Sequence, residues 1–275
     1  MDARLQRRVQ RYGWDAAAAF YHDAWQDQLR PAHDQLLRRA DVRPGEHVLE
    51  TACGSGLVTL RLAEAVGPKG RILATDLSQG MIDDLRTRLN AQQHDTITLS
   101  RMAAETLDVA DNHVDHAVSA LGLMYTTDPD TAVAEMARTT RPGGRVTATV
   151  WGERKNCGWA EVFPIVDARV ASEVCPMFFG TGAKGALTRL FDAAGLADIT
   201  ETRQAETLAF PSEEDVIEAV LLGGPVALAV KRFDEATWAE VTDEFLSSVA
   251  DYRTGDGAYL IPGEFVTVSG LRPKT

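Results

Sequence analysis

The stretch His47–Asp76 constrains the fold more than any other part of the chain. A short apolar run, His47–Thr51, ends in Ala52-Cys53-Gly54-Ser55-Gly56 and passes straight into Leu57–Val66, where apolar residues at 57, 60, 63 and 66 keep helical spacing. Gly67-Pro68 stops that helix, and Arg71–Thr75 reads as a second strand ending at Asp76. Strand, glycine-rich turn, helix and second strand make a βαβ unit, and such units build a parallel sheet through right-handed crossovers.

The rhythm continues to residue 151. Ser78 is placed to cap a helix carrying Met81, Ile82, Leu85 and Leu89 on one face, and Thr96–Ser100 alternates as a third strand. Val114–Leu121 is a fourth strand, residues 129–140 a helix, Arg141-Pro142-Gly143-Gly144 a tight turn and Arg145–Trp151 a fifth strand. Upstream, residues 15–40 read as two helices broken at Pro31, which suits a first helical turn. Downstream, 152–182 is irregular, aromatic and rich in Cys and Pro. Residues 185–195 read as a helix, 197–210 as a strand, 212–223 and 234–252 as helices, and Glu264–Leu271 as a last strand. With no repeat or linker composition to divide the chain, one structural domain in three parts is expected: an N-terminal helical lid over 1–40, a cofactor-binding core over 41–151, and the rest of the sheet with substrate-lid insertions over 152–275.

Ligands of doubly wound sheets bind outside the carboxyl ends of the strands, where this sequence places Glu50, Asp76, Glu105 and Leu121. Gly54 and Gly56 permit positive φ and close backbone approach at a helix N-terminus. Asp76 sits where such folds carry an acid that accepts hydrogen bonds from ribose hydroxyls. Two cofactors suit this combination. A nicotinamide dinucleotide favours a third glycine where Thr59 stands, and Glu50 would repel its pyrophosphate. S-adenosylmethionine carries a sulfonium and an ammonium and no phosphate, so it tolerates that acid. It is the cofactor expected, with S-adenosylhomocysteine as product.

The ordered segments VLETACGSG, ILATDLSQGMI, MAAETLDVADNHVD, ALGLMY and ARTTRPGGRV resemble the class I methyltransferases of the ubiquinone/menaquinone-biosynthesis type over residues 40–151. The resemblance implies a Rossmann-like, doubly wound α/β fold with a seven-stranded, mostly parallel sheet whose last strand, Glu264–Leu271, is antiparallel. It implies that Gly54 and Gly56 line the methionine portion of the cofactor, that Asp76 holds the ribose, and that Leu77 and Met81 pack on the adenine. The backbone around Ala120 and Leu121 would face the methionine ammonium, and Glu50, Ala52 and Glu105 join the same set. Ala103 stands where the family carries an acid for the adenine amino group, which leaves that contact to the backbone of Ala104. Among Tyr12, Trp14, Phe20, Tyr21 and Trp25, the i, i+4 pair Tyr21 and Trp25 either packs on the sheet edge or folds over the cofactor as a lid.

The expected activity is methyl transfer to an N, O or C nucleophile of a small organic acceptor. No dedicated base is legible, so Tyr12, Tyr21, His22 and Tyr125 are catalytic candidates by position alone. The alternatives are an NAD-dependent oxidoreductase, a non-catalytic adenosylmethionine-binding partner protein and, within the class, a tRNA or protein methyltransferase. With 28 basic against 40 acidic residues the net charge is −12, which repels a phosphate backbone, so no nucleic-acid partner is expected. No uncharged apolar run is long enough to span a bilayer. Three cysteines without a CxxC pair, and an N-terminus without an apolar signal core, point to the cytoplasm, as a monomer or homodimer. Cys53 reads as a packing residue, Cys157 and Cys175 as buried or lid residues, and Arg4, Arg7, Arg8 and Arg11 as a solvated helix face. His113-x-x-His116 has no partners at zinc spacing, so no metal is expected.

Overall fold

Seven strands carry the architecture, and the helices between them follow the alternation of apolar and glycine-rich segments. The computed structural model describes residues 3–90, 95–170 and 178–274, so Cys175 and part of the 152–182 insertion lie outside the described residues. Two helices, α1 (Ala3–Trp25) and α2 (Arg30–Ala40), precede β1 (His47–Thr51), α3 (Thr59–Val66), β2 (Arg71–Asp76), α4 (Gln79–Asn90), β3 (Ile97–Arg101) and β4 (Val114–Ala120). Then come α5 (Pro129–Thr139), β5 (Thr140–Trp151), α6 (Val162–Asp167), α7 (Ala186–Ala193) and β6 (Ala197–Phe210). The chain closes with α8 (Glu213–Ile217), α9 (Ala227–Val230), α10 (Glu235–Ser248) and β7 (Tyr259–Leu271).

The strands form one sheet in the order β3-β2-β1-β4-β5-β7-β6. β1 to β5 pair in parallel, and β7 runs antiparallel to both β5 and β6. This is the doubly wound α/β fold with a seven-stranded, mostly parallel sheet. Successive residues of a strand point to opposite faces, and here they fall into two different cores. Val48, Ile72 and Val118 pack with Leu36, Leu62, Ile82 and Leu85 of α2, α3 and α4. Leu49 and Ala117 pack instead with Val133 and Met136 of α5 and with Leu187 and Phe191 of α7. Burial on both faces is why the parallel strands read as unbroken apolar runs.

Three elements differ from the sequence reading. α1 begins at Ala3 rather than near residue 15 and runs through Gly13, a residue that weakens a helix interior; a Cβ there would make an ordinary 3.9 Å contact with Leu228 Cβ. Arg141-Pro142-Gly143-Gly144 does bend the chain, but inside β5. Val114 pairs with Thr140 and His116 with Arg145, so the intervening residues bulge out of the ladder. Gly143, at φ 79°, donates its N–H to Arg272 O (2.8 Å), and Gly144 O accepts from Arg272 N–H (2.9 Å). β7 starts at Tyr259 rather than Glu264, running through Pro262. That proline pairs with Thr207 of β6, whereas β5 joins only from Phe265 onward, so its missing N–H falls on an open edge.

Candidate active site

The strand order reverses between β1 and β4, and the loops leaving their carboxyl ends diverge there. A cleft of ≈ 710 Å3 opens at that point. Its walls are Ala52 and Gly54 after β1, Asp76 and Leu77 at the end of β2, Met102–Glu105 after β3, Ala120–Gly122 and Tyr125–Thr127 after β4, Met81 of α4, and Arg7, Gln10, Trp14 and Tyr21 of α1. Two non-glycine residues of this wall, Ala52 (φ 55°) and Leu121 (φ 57°), hold the left-handed conformation, a strain that persists only where surrounding structure enforces it. The two loops approach closely there: a Cβ on Gly122 would stand 2.3 Å from Ala52 Cβ, so only glycine fits.

Asp76 is held by backbone. Its Oδ2 accepts from Gly54 N–H (2.9 Å) and its Oδ1 from Ser78 N–H (2.8 Å). Burial pushes this carboxyl up to about 6, against those two bonds, so at neutral pH it is ionised with a second lone pair on each oxygen. α1 is pinned around the cleft at three places. Asp15 Oδ1 accepts from Ser78 Oγ (2.6 Å) and Gly80 N–H (3.0 Å) at the start of α4. Glu105 Oε1 accepts from Thr127 N–H (2.9 Å) and Thr127 Oγ1 (2.8 Å) and lies 3.6 Å from Arg7 Nη2. His22 Nδ1 is 3.0 Å from Ser55 Oγ in the glycine loop, and burial followed by the nearby Arg88 holds this imidazole below its usual range.

Glu50 lies beneath the loop rather than in the cleft. It is 1% exposed, its Oε2 accepts from Thr59 Oγ1 (2.6 Å), and burial pushes its carboxyl up to about 8. A folded-state value above the unfolded 4.5 means that the native state holds a proton that the unfolded chain gives up. Its stabilising contribution is therefore complete below the unfolded value and is lost as pH rises towards 8. Glu50→Gln removes this titration and keeps an oxygen for Thr59. In urea titrations at pH 5 and pH 9 the variant should gain on the native chain at the higher pH, and equal gaps at both values would contradict the assignment.

A second cavity of ≈ 300 Å3 adjoins the cleft, and Trp14, Tyr21, Leu121 and Tyr125 line both. Trp14 meets Tyr21 edge-on (5.6 Å, 89°) and Tyr125 likewise (4.8 Å, 80°), so three rings form the partition. Behind it stand Trp25, Leu29, Met124, Trp151, Trp159 and Gly223-Gly224-Pro225, and among the described residues no carboxylate, imidazole, Lys or Arg joins the lining. A π-helical turn at Glu218–Leu222 shapes the glycine wall. Gly223 N–H donates to Glu218 O (2.7 Å), which frees Ala219 O to accept from Trp25 Nε1 (2.9 Å) and fixes that indole.

Of the residues singled out from sequence, Tyr21, Ala52, Gly54, Asp76, Leu77, Met81, Ala103, Ala104, Glu105, Leu121 and Tyr125 come together at the cleft. The others sit elsewhere. Gly56 turns its α-carbon towards Leu85, Trp25 lines only the second cavity, His22 lines neither, and Tyr12 is 46% exposed beneath the Arg11 guanidinium. Burial, with the Asp76 charge, raises the Tyr21 phenol far above its usual value, so at neutral pH it is a proton donor and not a base. Arg7 is a wall residue paired with Glu105 rather than part of a solvated face. Arg7, Gln10 and Trp14 (the last named only among the aromatics of the lid segment), with Met102, Gly122, Thr126 and Thr127, were not anticipated as wall residues. The spacing 7, 10, 14, 21 places the first three with Tyr21 on one stripe of a helix and could have flagged them. Cys53 and Cys157 are free, buried thiols, and burial pushes Cys157 up to about 12. His116 Nε2 bonds Glu46 Oε2 (2.8 Å).

Residues 48–144 match the family described as a methyltransferase domain. A ubiquinone/menaquinone biosynthesis C-methyltransferase of Burkholderia orbicola is 38% identical over 133 residues, which cover 48% of this chain and 51% of the relative. The match thus spans about half the length of that curated relative. Among solved structures, the YcgJ protein of Bacillus subtilis superposes with a TM-score of 0.62 at 13% identity, covering 90% of this chain and 100% of the other. A phosphoethanolamine N-methyltransferase of Haemonchus contortus, in complex with S-adenosyl-L-methionine, gives 0.61 at 15% identity, covering 94% and 57%. Sheet order and this central match agree: residues 48–144 match a methyltransferase domain, and the chain carries the Rossmann-like methyltransferase fold.

Proposed function

We propose that this chain transfers the methyl group of S-adenosylmethionine to a small organic acceptor. The observation that carries the reading is Asp76: a carboxylate fixed by the backbone of the glycine loop, in a cleft that shares a wall of rings with a second, uncharged cavity. The cleft suits the cofactor. Asp76 would accept from the ribose hydroxyls, Leu77, Met81 and Met102 would pack on the adenine, and Ala52, Gly54 and the Ala120–Gly122 turn, where a side chain on Gly122 would collide with Ala52, would border the methionine portion. When bound, the cofactor supplies an electrophilic sulfonium methyl. The residues of this chain orient the acceptor, exclude water through the Trp14–Tyr21–Tyr125 partition and donate a hydrogen bond from Tyr21. α1 acts as the lid, held by Asp15, Arg7 and His22. The chain works in the cytoplasm, a setting in keeping with the two free thiols among the described residues.

Incubation with methyl-labelled S-adenosylmethionine and a small-molecule extract should move label into a compound of low mass. Label appearing only in tRNA or protein, with none in the small-molecule fraction, would overturn the acceptor class.

A further inference from the structure

The second cavity has a feature that its packing does not explain. Trp159 is 1% exposed and lines the chamber, yet its Nε1–H has no hydrogen-bond partner among the described residues. The indole beside it, Trp25, is satisfied by Ala219 O, so this part of the fold can supply a carbonyl to a ring N–H. A buried N–H left unpaired is expensive, and native structures keep such groups where something else completes them.

The rest of the lining says what that something is. Among the described residues it holds no charged side chain, so an ionic guest would lose its hydration without gaining a counter-charge. Nor is it a cage for a cation. Trp25, Trp151 and Trp159 pack edge-on against one another at centroid distances of 6.1, 6.1 and 5.0 Å rather than standing as parallel walls around an open space.

We infer that this chamber is the acceptor subsite, and that it selects a compact, uncharged, largely apolar molecule carrying one oxygen or nitrogen that accepts a hydrogen bond from Trp159 Nε1. This deepens the proposed function and rests on it, since the chamber adjoins the cofactor cleft along Trp14, Tyr21, Leu121 and Tyr125, which line both. Trp159 is then a specificity residue that reads a lone pair in a pocket that also carries the hydrogen-bonding rim residues Trp14, Tyr21 and Tyr125.

The test uses calorimetry on the full chain saturated with S-adenosylhomocysteine, with three probes: 1-indanone, which has a carbonyl, indane, which lacks it, and phenyltrimethylammonium, which is charged. Indanone should bind at least about fivefold tighter than indane, the scale of one neutral hydrogen bond, and phenyltrimethylammonium should give no saturable heat. Trp159→Phe keeps a ring and removes the N–H, so it should cut the preference for indanone severalfold while leaving indane unchanged. If that variant fails to fold, the indanone-to-indane ratio in the native protein still decides. Equal binding of the two, tight binding of the ammonium, or no probe binding to a protein that does bind S-adenosylhomocysteine would each overturn the inference while leaving the cofactor site intact. Failure of S-adenosylhomocysteine itself to bind would instead remove the reading on which the inference rests.

Discussion

Asp76→Ala should weaken S-adenosylhomocysteine binding about thirtyfold, about 2 kcal/mol, the scale of losing charge-assisted bonds to hydroxyls. The effect has two parts. The carboxylate that would meet the ribose disappears, and the N–H groups of Gly54 and Ser78 that it now holds lose their acceptor, so the glycine loop loosens as well. Asp76→Asn separates them: an amide oxygen can keep one backbone bond, but the amide nitrogen must face an N–H. The same carboxyl predicts a pH dependence. Because burial lifts it to about 6, affinity should be flat above neutrality and fall as acid protonates Asp76 through that value. Calorimetry on the folded variant and a native titration series from pH 5 to pH 8 check both points. Unchanged affinity in folded Asp76→Ala would take Asp76 out of the site.

A larger effect, on stability, is expected at Gly56. The loop glycines look interchangeable in the sequence, and the structure separates them. Gly54, at φ 54°, sits against the cleft, and a Cβ there would lie 3.6 Å from Tyr21 Cε1, an ordinary contact. Gly56, at φ 91°, faces the core, where a Cβ would come within 2.3 Å of Leu85 Cδ1, a fully buried side chain of α4. Gly56→Val adds backbone strain to overpacking and should destabilise the fold by about 3–5 kcal/mol. Gly54→Ala adds only the strain, about 1 kcal/mol, and should act mainly on ligand binding. Urea midpoints of the two variants test the contrast. A Gly56→Val protein as stable as the native one would mean that the loop and α4 can part without penalty, which the packing of Leu85 does not allow.

This division explains what could be read from the chain and what could not. Strands and helices up to Trp151 were legible because each is a local pattern: Met81, Ile82, Leu85 and Leu89 are the buried face of α4, and Ser78 Oγ caps it by accepting from Met81 N–H. Asp76 and Gly54 were legible because their place in a βαβ unit dictates their place in the cleft. The direction in which Gly56 or Glu50 faces depends on α4 and α3 packing over the loop, and no local spacing reports it. The part played by α1 was legible only in fragments. Tyr21 stood out as an aromatic, but Arg7 and Gln10 look like solvated residues until Glu105 and the β4 loop are brought opposite them. The last strand reads from Glu264 in the sequence, but it runs on through Pro262 to Tyr259, because a proline ends a strand only when its N–H is needed, and here that edge is open.

The central claim is that the cleft at the β1–β4 junction is a methyl-donor site serving the adjoining aromatic chamber. Calorimetric titration of the purified chain with S-adenosylhomocysteine, repeated in a large excess of NAD, tests it most directly. The account predicts saturable one-to-one binding that the dinucleotide does not displace and that Asp76→Ala weakens. Absence of binding, or displacement by the dinucleotide, would contradict it.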